Sequence, residues 1–222
     1  MTDPITIRQF HEAEDVEDWR VVGDGATADF PTESFAHAAR FVAAIGELAG
    51  LDDHPPDVDI RPGGVTVRLV TSTDDHYGLA IRDLELAREI SAVARDQGLG
   101  SDPSAVQSVL AIVGSLVTPD VMPFWQAVLG YEYRPDSPDE DLVDPRGRGP
   151  AFWFETMEAV RPDGGGAIHI AVWVPPEQAE ARIAAALAAG GRMVRDDFAP
   201  AWWTLADEAG DEADVSTTQF RD

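Results

Sequence analysis

An α+β chain in two parts is the fold class that the sequence predicts, and three observations predict it. Apolar residues alternate on both sides of Pro62-Gly63-Gly64, and stripes of helical spacing lie before and after that turn. A run with two glycines, an aspartate and a proline, "RDQGLGSDPSAV" from Arg95 to Val106, stops one helix and starts something new. Beyond it, one pattern of strand, helix and three strands occurs twice. The expected boundary falls near Leu99 to Asp102, giving units over 1–99 and 103–222.

Taken in order, a strand near Trp19 to Val22 opens the first unit. Glu33 to Ala49 carries Phe35, Ala38, Val42, Ile45 and Ala49 at helical spacing, with Thr32 as the expected N-cap and Gly50 as the stop. "DVDIRPGGVTVRLVTS" reads as a β-hairpin. "GLAIRDLELAREISAVARDQGL" is helical again, with Leu84, Ala87, Ile90 and Ala94 along one stripe. The order is β-α-β-β-α, with helices on one face of an antiparallel sheet.

In the second unit the first copy runs from strand "VQSVLAIVG" through helix "PDVMPFWQAVLG" to strands around Tyr131, Leu142 and Phe152. The second runs from "AIHIAVWV" through "PEQAEARIAAALAAGG" to strands near Met193, Trp203 and Val215. The second helix sets Ala179, Ile183, Ala186 and Leu187 on one side. Paired βαβββ modules of this kind bring two curved sheets around a pocket. Phe124, Trp125, Trp153, Trp173, Trp202 and Trp203 are expected mostly in the core, with one or two left as a flat wall for a planar ring.

Bulk composition excludes several function classes. The chain has 222 residues, 44% of them hydrophobic, enough for packed cores. Cysteine is absent, which removes disulfides, thiolate metal sites and cysteine nucleophiles. Forty-one acidic residues face 16 basic ones, a net charge of -25 that repels nucleic-acid phosphates and anionic lipid. All the basic residues are arginines, so Schiff-base chemistry and a P-loop lysine are ruled out. The first residues, "MTDPITIRQF", do not form a secretory signal, and no apolar run approaches membrane-spanning length. A soluble cytoplasmic protein is the expectation. "PDGGGA" reads as a loop before a strand, not a nucleotide fingerprint.

"HPPDVDIRPGGVTVRLVTS" followed by "GLAIRDLELAREI" resembles the pterin-4a-carbinolamine dehydratases over about Trp19 to Val93. That family shows two adjacent histidines and a proline before an Asp-Val-Asp-like strand. A third histidine follows a threonine-rich strand end, and Arg-Asp opens the last helix. Aligned without gaps, His54 falls on the first histidine and Pro55 on the second; sliding by one residue puts Asp53 and His54 there. Ser72 or Asp74 takes the third place, His76 lies nearby as a candidate replacement, and Asp83 matches the Arg-Asp position. The resemblance implies expulsion of the 4a-hydroxyl of a tetrahydropterin, with one group protonating the leaving hydroxide and another removing the N5 proton. Imidazoles, with pKa values near neutrality, suit both roles. His54, His76 and Asp83 are the catalytic candidates so implied.

From about Ala105 onward, "FWQAVLGYEY", "LVDPRGRGPAFWFE", "AIHIAVWVPPEQAEARIAAALAAGG" and "WWTLADEAGDEADV" resemble the glyoxalase-like branch of the vicinal oxygen chelate superfamily. Metal-dependent members hold a divalent ion on inward strand positions. Carried over, those positions are Gln107, His169 and Glu212, with Glu155 nearest to the fourth. Such a set suits Zn²⁺, Mn²⁺, Fe²⁺ or Ni²⁺. Three functions follow as expectations: a 4a-hydroxytetrahydropterin dehydratase, a metal-assisted lyase, isomerase or dioxygenase, and a non-catalytic module for a pterin-like or other small molecule. Both resemblances imply self-association, with a homodimer expected.

Overall fold

In the computed structural model, residues 3–159, 167–206 and 212–220 are described. The chain divides into two compact units, one running to Val106 and the other from Gln107 to Gln219.

The first unit is built on the antiparallel sheet β1-β2-β4-β3, formed by β1 (Arg20–Val22), β2 (Gly25–Pro31), β3 (Asp57–Arg61) and β4 (Gly64–Leu69). The predicted hairpin is β3–β4, with Arg61 opposite Gly64. Gly64 has to be glycine, since a Cβ there would sit 2.7 Å from the Phe30 carbonyl oxygen across the β2–β4 ladder. α2 (Phe35–Ile45) and α3 (Ile81–Asp96) complete the layer. Four elements named here lie outside the expected β-α-β-β-α order: α1 (Ile7–His11), the strand β2, and the two strands of a small hairpin, β5 (Thr71–Thr73) and β6 (His76–Gly78).

α2 begins two residues later than expected because Ser34, not Thr32, accepts the His37 N–H and caps the helix. Gly46 ends it, and Gly50 instead takes a left-handed turn at φ +80° in the following loop. Its buried face is Ala38, Phe41 and Ile45, while Phe35, expected inside, is 63% exposed. In α3 the expected Ala87, Ile90 and Ala94 are buried, joined by Leu86 and Ser91. Trp19, fully buried, sends its indole N–H to the Ala87 carbonyl (3.2 Å) and the Ser91 hydroxyl (3.0 Å), locking α3 to the entry of the sheet.

The second unit holds two βαβββ modules. The first comprises β7 (Ser108–Ser115), α4 (Thr118–Leu129), β8 (Glu132–Tyr133), β9 (Asp141–Val143) and β10 (Ala151–Thr156). The second comprises β11 (Ala167–Trp173), α5 (Pro176–Ala188), β12 (Arg192–Arg195), β13 (Trp202–Ala206) and β14 (Glu212–Ser216). They join into one sheet, β12-β13-β14-β11-β7-β10-β9-β8, through an antiparallel ladder between β7 and β11. Within each module the first and last strands run parallel, β7 with β10 and β11 with β14.

Side-chain alternation then fixes two faces. Val113 and Phe154 pack with Met122 of α4, and Val215 and Leu205 pack with Ala179 and Ile183 of α5. Leu187, expected on that stripe, is 39% exposed. Trp125 packs beside Phe152 and Trp203 joins the α5 cluster, both on the helix side. The opposite face carries Trp153, Trp173 and Trp202 half-buried. The Phe124 side chain and the glycine-rich run at 162–166 lie outside the described residues.

Candidate functional site

The loop from α2 to β3 turns at Gly50, where the backbone N–H groups of Asp53 and His54 both donate to the Gly50 carbonyl (3.2 Å each). Pro55 and Pro56 then stiffen the exit into β3. This leaves the His54 side chain 14% exposed and brings its Nε2 to 2.7 Å from Asp83 Oδ1. Asp83 is fully buried at the start of α3, where the helix's positive end favours a carboxylate. Its Oδ2 accepts the Ala80 backbone N–H (2.7 Å) and the Thr71 hydroxyl (2.7 Å). Thr71 in turn accepts from Arg82 Nε (2.9 Å).

Three donors thus meet the carboxylate, one at Oδ1 and two at Oδ2. An ionised carboxylate only accepts, so Nε2 of His54 carries the hydrogen toward it. Nδ1 is then the ring nitrogen without a hydrogen. A buried Asp in this position fixes the tautomer and the orientation of the ring, as in other His–Asp pairs.

His76 does not join this pair in one cavity. It lies on β6 and lines a cavity of about 240 Å³ with Ile5, Val21, Asp24, Tyr77 and Leu79, which neither His54 nor Asp83 lines. Ser72 and Asp74, the two positions that the resemblance offers for the third histidine, lie in the same β5–β6 hairpin. Thr71 was visible in the sequence only as part of a threonine-rich strand end; its bond to Asp83 joins positions 12 residues apart.

In the second unit, strand register decides which candidates share a face. His169 lies opposite Ile112, which lies opposite Trp153, and Glu155 is two residues along from Trp153 on that face. The parallel ladder sets Glu212 and Asp214 there too, one register step to each side of the Ile170–Ala213 pair. Glu212 is the first residue of β14. Asp214, not singled out in the sequence, is the partner His169 finds: Nε2 to Oδ2 is 3.2 Å, while Oδ1 of Asp214 accepts the Thr204 hydroxyl at 2.6 Å. The signal that could have found it is spacing, since residues two apart on a strand share a face. The hydrogen bond to Asp214 raises the pKa of His169 against the opposing effect of burial, and the charges of Asp214, Glu155 and Glu212 add to the rise.

These residues do not fit a metal centre. Gln107 precedes β7 and accepts from Arg182 of α5, on the helix side and away from His169. Nε2 of His169 is already directed at Asp214. Among the described residues, no group of three or more His, Cys, Asp or Glu is placed to hold an ion. The same residues include no helix long and apolar enough to cross a membrane.

Comparison with known proteins agrees with the division into two parts. The family model for pterin 4 alpha carbinolamine dehydratase matches residues 3–93. A Nocardia farcinica protein named for that activity is 40% identical over 82 residues, covering 37% of this chain and 84% of that protein. The chain belongs to the pterin-4a-carbinolamine dehydratase family. Its second unit matches the model of a glyoxalase-like domain over residues 117–216. Among solved structures, a transcriptional coactivator/pterin dehydratase from Brucella melitensis aligns at 26% identity over 40% of this chain and 92% of that one (TM-score 0.34). A glyoxalase/bleomycin resistance protein/dioxygenase superfamily member from Vibrio splendidus aligns at 16% identity over 50% and 99% (TM-score 0.32).

Proposed function

We propose that the first unit dehydrates a 4a-hydroxytetrahydropterin, with His54 as the proton-transfer group and Asp83 as the residue that positions it. The observation that carries this is the 2.7 Å contact between His54 Nε2 and the buried Asp83 carboxylate. One imidazole can serve both halves of the reaction. As imidazolium, it gives the Nδ1 proton to the 4a-hydroxyl, the C4a–O bond breaks and water leaves. As neutral imidazole, it then takes the N5 proton, which yields the quinonoid dihydropterin and restores the starting state. Asp83 stabilises the cationic half of that cycle and keeps Nδ1 outward. Pro55 supplies no second imidazole, so the two proton transfers run in sequence through one group.

The test is a dehydratase assay on wild type and His54→Ala. A general acid–base group is worth roughly 10²–10⁴-fold, and a loss of that size is expected. Turnover unchanged in His54→Ala would remove His54 from the mechanism. The same proposal carries a pterin-like substrate and a homodimer, the latter checked by light scattering.

A further inference from the structure

Asp83 aims His54, and two donors on a single oxygen aim Asp83. The Ala80 N–H reaches Oδ2 at 2.7 Å from a backbone stretch that is itself tied down. On either side of it, Ile5 N–H donates to the Leu79 carbonyl and Ile81 N–H to the Asp3 carbonyl, both 3.0 Å. One donor does not fix the plane of a carboxylate, because the last torsion of aspartate is broad and two-fold. The second donor is the Thr71 hydroxyl, which reaches the same oxygen at 2.7 Å from β5, outside the helix that carries Asp83. Together they pin Oδ2 and leave Oδ1 for His54 Nε2.

A hydroxyl alone turns freely, and Arg82 removes that freedom. Guanidinium nitrogens only donate, so Arg82 Nε–H, at 2.9 Å, fills a lone pair of Thr71 Oγ1. The hydroxyl hydrogen is thereby directed to Asp83, which as a carboxylate only accepts. Thr71 is fully buried, so water does not compete for either bond. Arg82 also sets a permanent positive charge one hydroxyl away from a fully buried carboxylate, a group that is costly to bury unpaired.

We propose that Thr71 is a positioning residue for the proton transfer assigned to His54, acting through Asp83 with its hydroxyl oriented by Arg82. The proposal rests on that assignment and extends it, placing control of the His54 ring on a strand that the ring itself does not bond.

The test compares Thr71→Val, which keeps the shape without the hydroxyl, with Thr71→Ser, which keeps the hydroxyl. At about pH 9, where imidazoles are ordinarily neutral, the ¹⁵N–¹H spectrum of the wild-type His54 ring is expected to show hydrogen on Nε2 alone. Thr71→Val should add a second population with the hydrogen on Nδ1, and Thr71→Ser should return the ring to one form. In the dehydratase assay, Thr71→Val should lower kcat about tenfold, the scale of one lost hydrogen bond to a charged group, with KM within about twofold. Thr71→Ser should recover most of that loss. A merely structural hydroxyl would move neither the ring hydrogen nor kcat apart from KM. A single Nε2–H form in Thr71→Val overturns the proposal whatever turnover does. In an active enzyme, kcat equal to wild type in Thr71→Val, or Thr71→Ser no better than Thr71→Val, overturns it too. If Thr71→Val fails to fold, Thr71→Ala is read by the same criteria. Wild type without turnover removes the dehydratase reading alone, since the ring spectrum still decides the role of Thr71.

Discussion

Replacing Asp83 by alanine strands three groups at once: the Ala80 N–H, the Thr71 hydroxyl and His54 Nε2. Ala80 and Thr71 are 1% and 0% exposed, so water does not substitute for the lost acceptor, whereas His54 reaches solvent and counts least. Each stranded buried group costs about 1–3 kcal/mol. The variant also recovers the desolvation cost of the carboxylate, which sets the net loss near the low end, at roughly 3–4 kcal/mol. Against a typical stability of about 5–15 kcal/mol, that is a large share. Asp83→Asn behaves differently. Its carbonyl oxygen keeps both bonds made by Oδ2, so about 1 kcal/mol is lost. Its amide, however, donates toward His54 and drives the hydrogen from Nε2 to Nδ1, closing the atom that must accept a proton. Turnover is expected to fall by roughly 10²–10⁴-fold in this nearly fully stable variant. Hydrogen exchange of the α3 amides reads stability within the unit itself, which a whole-chain melt of two units does not. Equal losses of protection in the Ala and Asn variants, or normal turnover in the Asn variant, would refute the reasoning.

Three further outcomes are expected. In an NMR titration, His169 has a midpoint above the ordinary imidazole value of 6.5, and Asp214→Asn brings it down toward that value. Because the folded state holds this proton more tightly, the pair's contribution to stability is complete below about pH 6.5 and fades as pH rises through the raised midpoint; melting of the second unit across that range checks it. Trp19→Phe removes both indole bonds and leaves a void in the first core, costing about 2–4 kcal/mol by the same exchange measurement. Gln107→Ala leaves divalent-ion uptake, measured by equilibrium dialysis, unchanged, because its side chain is turned to Arg182.

Long periodic segments and hairpin punctuation were readable without coordinates. The β3–β4 hairpin shows its alternation around Gly63-Gly64, and each helix of the second unit lies where apolar spacing put it. β2 was hidden because its inward residues are mostly alanines, Ala26 and Ala28, with a buried Thr27 between them blurring the alternation. α1 has only five residues, too few for periodicity, though Thr6 and Gln9 form a capping box that marked its start. At the candidate site, His54 and Asp83 were legible one at a time through family resemblance. Their contact spans 29 residues and depends on how the Gly50 turn aims a ring, which no spacing rule supplies. Gln107 lies one residue before β7 and its side chain turns to Arg182, 75 residues away, a pairing that no spacing rule supplies.

The β7–β11 ladder has a consequence for how the second unit comes into being. Its seven residue pairs run from Ala167–Gly114 to Trp173–Ser108, at the middle of an eight-stranded sheet. A nascent chain that has emerged only as far as β10 presents "SVLAIVGS" as an open, apolar strand edge, the kind that recruits other chains. The first module is therefore exposed to mispairing until β11 arrives, and cutting the gene between the modules should give two insoluble halves rather than two small domains.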